Sequence, residues 1–195
     1  TKITLPDGTE TTYTYDAYHN VLTSTSYTGV VTSYTYDAWG NNLTVSVGSG
    51  TSMITSSAAY STDGNRLVST TDTAGKTTQY SYHADTNVLE WVQYPEDTEA
   101  TRTAYTYDEM YRLTNTQVTT DQNSTLTASY TYADDLLTEL ETASTTYSFT
   151  YGDFSLRSRV SIGSRTLARY TYSERNNFLE RLDYGNGDRV QYTYD

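Results

Sequence analysis

Cysteine is missing from this chain of 195 residues, and there are only two prolines and two histidines. The only lysines are Lys2 and Lys76. Without cysteine there is neither a disulfide framework nor a thiolate metal site. The scarcity of lysine and a formal net charge of -12 exclude a nucleic-acid partner, because phosphate binding needs clustered cations that release counterions. The same charge disfavours anionic membrane surfaces. No apolar run approaches the roughly 20 residues of a membrane-spanning helix, so no membrane span is expected. Gly-x-Ser-x-Gly elbows and glycine-rich phosphate loops are absent. His19 and His83 stand apart, without a second histidine at ligand spacing, and no metal or other cofactor is expected. Asp134 and Asp135 are adjacent, and neighbours on a strand face opposite sides. No catalytic residue is nominated, and the chain is not expected to be an enzyme.

Tyrosine, by contrast, occurs 22 times, against three phenylalanines and two tryptophans. Without it the apolar residues fall to about a quarter of the chain, low for a compact two-layer core. Tyrosine combines a large apolar ring with a polar tip and suits a half-buried surface. With abundant threonine and serine it favours strands over helices.

The tyrosines are periodic. "YTYDAYHNVL" at 13–22 returns as "YTYDAWGNNL" at 34–43, "YSYHADTNVL" at 80–89 and "YTYSERNNFL" at 170–179. The aromatic pairs are Tyr13 and Tyr15, Tyr34 and Tyr36, Tyr80 and Tyr82, Tyr105 and Tyr107, Tyr130 and Tyr132, Tyr170 and Tyr172, and Tyr192 and Tyr194. Phe149 with Tyr151 is a variant, and Tyr60 stands without its first ring. Nine units thus span residues 1–195 at spacings of 19 to 25 residues. Residues two apart share a face of a strand, so each pair presents two rings to one side.

Asp16, Asp37, Asp108 and Asp195 follow their pairs directly, and Gly40 and Gly64 lie in the turns beyond. Such residues supply side-chain turn caps and left-handed positions. A leucine then opens the return strand: Leu22, Leu43, Leu67, Leu89 and Leu179 stand seven residues after the second aromatic, and Leu113 six. Gly8, Gly29, Gly75 and Gly187 mark the turn before the next pair. Each unit therefore reads strand, turn, strand, turn, and consecutive units should pair as antiparallel hairpins. Residues 95–104 and 119–128 are expected as longer surface excursions. The first residue already lies within a repeat, so the array is expected to be a fragment of a larger protein.

The restated pattern Y-x-Y-D-x-x-G-N-x-L resembles the YD repeat of the Rhs (rearrangement hotspot) and YD-repeat families. It is clearest in "YTYDAYHN", "YTYDAWGN", "YTYDEMYR" and "YTYD". The resemblance implies a long curved sheet, spiralling into a shell that encloses a toxin or effector, on a secreted or cell-surface bacterial protein. In toxin members of the family a separate autoproteolytic module completes the wall, and teneurins use a similar shell in adhesion. The partners implied are further repeats of the same protein and the enclosed effector. Open strand edges also favour self-association. The alternative reading is an adhesion or carbohydrate-binding module that uses the tyrosine-rich face. A third, a catalytic site in the loops at 95–104 or 119–128, finds no motif in its support. Cross-strand aromatic pairing explains a feature present in every unit more simply than a binding site does.

Overall fold

The computed structural model describes residues 1–48, 50–95, 101–120 and 124–195. Among them are eighteen strands: β1 (Lys2–Thr4), β2 (Glu10–Tyr15), β3 (Val21–Thr25), β4 (Val31–Tyr36), β5 (Asn42–Val47), β6 (Ile54–Tyr60), β7 (Leu67–Thr71), β8 (Thr77–Tyr82), β9 (Leu89–Gln93), β10 (Arg102–Tyr107), β11 (Leu113–Thr119), β12 (Thr125–Ala133), β13 (Leu136–Thr142), β14 (Thr146–Tyr151), β15 (Arg157–Ile162), β16 (Arg165–Tyr172), β17 (Leu179–Tyr184) and β18 (Arg189–Gln191). Two compact units divide them, Thr1–Arg102 and Thr103–Asp195. In each, a strand pairs antiparallel with its neighbour in sequence, as in the registers Tyr34↔Val45 of β4 and β5 and Tyr170↔Leu182 of β16 and β17.

Alternation fixes the two faces. On one, the first aromatic of a pair lies opposite an aliphatic side chain: Tyr80 faces Val92, Tyr130 faces Leu140 and Phe149 faces Val160. Aromatic and branched partners at this separation contribute about 0.2–1 kcal/mol each. On the other face hydroxyls meet across strands, with Thr14 and Thr23 at 2.6 Å, Thr35 and Thr44 at 2.7 Å and Ser46 and Thr55 at 2.8 Å.

The resemblance led to a curved, spiralling sheet, and here the structure requires a correction. The sheet is all antiparallel and built of tandem hairpins, but it is not closed or strongly curled. Burial gives the physical reason. The buried residues described here are Val92, Ala168 and Ser161 alone, so the strands find little packing beyond their own neighbours in the ladder. Most of the repeat tyrosines are half-buried.

The expected excursions are shorter than the sequence suggests. Tyr94 N–H donates to the carbonyl of Thr101 at 2.8 Å, and β10 has begun by Arg102. Strand β12 takes up Thr125 to Ala128. The middles of both expected excursions, 96–100 and 121–123, lie outside the described residues.

Candidate functional site

Seven strand pairs share one irregularity, placed immediately before the second aromatic: between Thr14 and Tyr15, Thr35 and Tyr36, Ala59 and Tyr60, Ser81 and Tyr82, Thr131 and Tyr132, Thr150 and Tyr151, and Thr171 and Tyr172. Each is a β-bulge. Thr14 faces Thr23 while Tyr15 faces Val21, so Leu22 is the extra residue. Leu43 holds the same place in the next hairpin. In the hairpins of Tyr60, Tyr82 and Tyr172 the leucine instead faces the tyrosine, as Leu67, Leu89 and Leu179.

A bulge interrupts the ladder locally and leaves backbone groups to be satisfied elsewhere. The next unit's second tyrosine does this. Pairing of β3 with β4 ends at Thr23↔Ser33, and the Tyr36 hydroxyl donates to the Val21 carbonyl at 2.9 Å. The same last rung recurs from Tyr132 to Leu113 at 2.9 Å, Tyr151 to Leu137 at 2.8 Å, Tyr172 to Arg157 at 3.0 Å and Tyr194 to Leu179 at 2.8 Å. In these five cases one repeat completes the backbone of the repeat before it. Burial raises the hydroxyl pKa of Tyr107 and of Tyr172. Tyr192 and Tyr194 lie just beyond β18, and Tyr192 N–H still reaches the Glu180 carbonyl at 2.9 Å.

The hairpin tips come in two lengths. In the shorter, the carboxylate of Asp16 accepts from Tyr18 N–H at 2.8 Å, Asn20 N–H at 2.9 Å and the Asn20 side-chain amide at 3.0 Å. Asp37 accepts likewise from Trp39 and Asn41, and Asp108 from Met110 and Arg112. The fourth residue after the second tyrosine is left-handed, with φ of 69° at His19, 86° at Gly40 and 61° at Tyr111. Where His83 or Ser173 replaces the aspartate, closure moves one residue on, to Asn87 and Asn177, both with φ 59°. That extra residue is what carries the leucine from the bulge to the position facing tyrosine. Asp134 and Asp135 form a two-residue tip between Ala133 and Leu136. Asp195 follows Tyr194 directly.

The donors at the tips lower the aspartate pKa values. For Asp16 the Asn20 amide is the largest influence, and for Asp108 the Arg112 backbone N–H. At Asp37 burial pushes upward most strongly, and the donors of Asn41, Trp39 and Gly40 together outweigh it. Tips also touch one another. The Asn41 amide donates to the Gly64 carbonyl at 2.7 Å, and Trp39 lies so close over Gly64 that a Cβ there would stand 2.3 Å from its Cγ. Between the tips at 16–20 and 37–41 is a cavity of about 640 Å³ lined by Asp16, Tyr18, Asn20, Tyr36, Asp37 and Trp39, among others. Its rim aromatics are strongly exposed, Tyr18 at 86% and Trp39 at 67%. Sequence reasoning passed over Tyr18, Trp39, Asn20 and Arg112. The signal was the residue five after the second tyrosine, which varies between asparagine and arginine while the aspartate four before it stays. No group of three histidine or acidic side chains poised for a metal occurs among the described residues. No helix there is long and apolar enough to cross a membrane.

Residues 1–29 and 60–99 match the RHS Repeat family model. No curated protein matches the sequence. Among solved structures, the chain is similar to the crystal structure of TcdB2-TccC3-Cdc42, at 17% identity and a TM-score of 0.51, over 97% of this chain and 13% of that one. TcdB2-TccC3 without its hypervariable C-terminal region aligns at 17% identity and a TM-score of 0.50, with the same coverage of 97% and 13%. At such identity the likeness is one of fold. The chain spans 13% of the length of those structures.

Proposed function

We propose that this chain is a non-catalytic wall segment of an Rhs-type repeat protein of bacterial origin, secreted or surface-attached, in which further repeats complete an enclosure around a toxin or effector. One observation carries the reading: the hydroxyl of one repeat satisfies the bulge carbonyl of the repeat before it. A tyrosine committed in this way joins courses of a wall. The matched RHS Repeat model and the TcdB2-TccC3 fold likeness support the same reading. The single array, with its signature tyrosines, aspartates and leucines, is proposed as the architectural unit. The carbohydrate alternative for the tyrosine face draws less support, since five of the hydroxyls a sugar would engage already point at backbone carbonyls.

The test is electron cryo-microscopy of the natural full-length product combined with protease treatment. Strands β1–β18 set in a continuous wall, with a polypeptide resisting protease until the wall is unfolded, is the expected result. An array standing free, its tyrosine face in solution and no protected polypeptide, would overturn the proposal.

A further inference from the structure

The turn at 108–112 and the turn at 16–20 are built alike. Asp108 and Asp16 follow the second tyrosine, each aspartate N–H bonds at 3.0 Å to the carbonyl four residues on, and each carboxylate accepts from the same two backbone positions. They differ at the fifth residue. Arg112 occupies it in one turn and Asn20 in the other.

What the arginine does defines a receptor. Its guanidinium meets the Asp108 carboxylate at 2.7 Å, donates to the Asp134 carbonyl of the next tip and lies 4.8 Å from the ring centroid of Tyr132. A carboxylate on one side, an aromatic face beneath and a neighbouring tip beyond are what a planar cation with forked donors fits. The counterparts of Asp108 and Tyr132 in the first two repeats are Asp16 and Tyr36. Both line the 640 Å³ cavity, as do Asp37 and Trp39. The Asn20 amide is held by Asp16. No lysine or arginine lines the cavity, while both of its carboxylates are ionised at neutral pH. Elsewhere in the chain aromatic faces already carry a guanidinium, Arg102 at 4.5 Å over Trp91 and Arg157 at 5.1 Å over Phe149. The cavity exceeds one guanidinium, and its exposed rims, Tyr18 and Trp39, leave room for the flanking backbone of a peptide.

We propose that the cleft between the tips at 16–20 and 37–41 is a guanidinium subsite that takes an arginine side chain of a partner polypeptide. Recognition pairs the guanidinium with Asp16 and Asp37 while its plane stacks on Tyr36 or Trp39. The site stands independently of the wall proposal, since it needs only the two tips.

The test is an NMR titration of the full chain with the blocked peptide acetyl-Gly-Arg-Gly-amide, and with its citrulline and lysine counterparts. Arginine peptide should bind saturably with a Kd on the order of 1–10 mM, as expected for one desolvated side chain. The Trp39 indole and Asn20 amide should shift, and the Trp91 indole, already under Arg102, should not. Citrulline should bind at least tenfold more weakly. Asn20→Arg supplies the cleft with a guanidinium of its own in the manner of Arg112, and should abolish binding in a folded protein. Equal binding of arginine and citrulline, equal binding of lysine, or unaltered binding in Asn20→Arg would each overturn the proposal, as would the lack of any saturable shift.

Discussion

Replacing Tyr151 by phenylalanine keeps the ring and removes one oxygen, the one that donates to the Leu137 carbonyl at 2.8 Å. That carbonyl belongs to the residue facing Tyr132 across the bulge, beyond the point where β13 and β14 cease to pair at Glu139↔Ser148. A neutral hydrogen bond contributes about 0.5–1.5 kcal/mol, and a buried acceptor left without a donor costs about 1–3. The Leu137 carbonyl is part-buried, so water relieves some of that loss, and about 1 kcal/mol is expected. This corresponds to roughly fivefold in a local opening equilibrium. Residue-resolved hydrogen exchange is the appropriate assay, because tandem repeats need not unfold as one. Amides of β13 and β14 should lose about fivefold protection in Tyr151→Phe and little in Tyr130→Phe, whose hydroxyl makes no hydrogen bond among the described residues. Equal losses in the two variants would refute the last-rung role.

Tyr111 is a bulky residue at φ 61°, where the sister turn has Gly40, so Tyr111→Gly should stabilise its tip or leave it unchanged, by up to about 1 kcal/mol in urea unfolding. A clear destabilisation would show that the tyrosine ring holds the tip. Gly64→Ala drives a methyl into Trp39 at a left-handed position and should cost about 1–3 kcal/mol, with a shift of the Trp39 indole resonance as the check. The lowered pKa values of Asp16, Asp37 and Asp108 mean that the unfolded chain binds more protons in acid. Their contribution is therefore complete above the ordinary carboxylate value near 4 and is lost as pH falls through the depressed folded values. Urea midpoints should fall on acidification and do so less steeply in Asp16→Asn. For Tyr107 and Tyr172 the sign reverses: raised values give stability that is present below about pH 10 and lost as pH climbs through the folded values. Ultraviolet titration of phenolate absorbance should show a late fraction that merges with the rest in denaturant.

The hairpin array was legible because Tyr-x-Tyr alternation at a regular period has only one strand-like solution, and Gly29 and Gly75 mark where chains reverse. Sheet curl was not legible. It depends on how much of each face finds a covering partner, and the pattern Tyr-Thr-Tyr gives ring and hydroxyl faces without saying that either is packed. The bulge also escaped reading, since Leu22 and Leu89 stand at one offset in sequence yet take different places in the ladder. Tip length, set by Asp16 in one case and His83 in the other, decides between them. The cleft lay hidden for a related reason: its receptor character emerges only when Arg112 is seen lying on Tyr132, a contact between residues 20 apart in sequence.

Residue-by-residue iodination or oxidative footprinting of the folded chain tests most directly whether the repeated tyrosines are joints between courses. Tyr36, Tyr132, Tyr151 and Tyr172 should be protected together, while Tyr18, Tyr27 and Tyr111, exposed at 86%, 71% and 59%, react first. If the four repeat tyrosines modify as quickly as those three, their hydroxyls do not close the bulges, and the tyrosine face is an open surface instead of a joint.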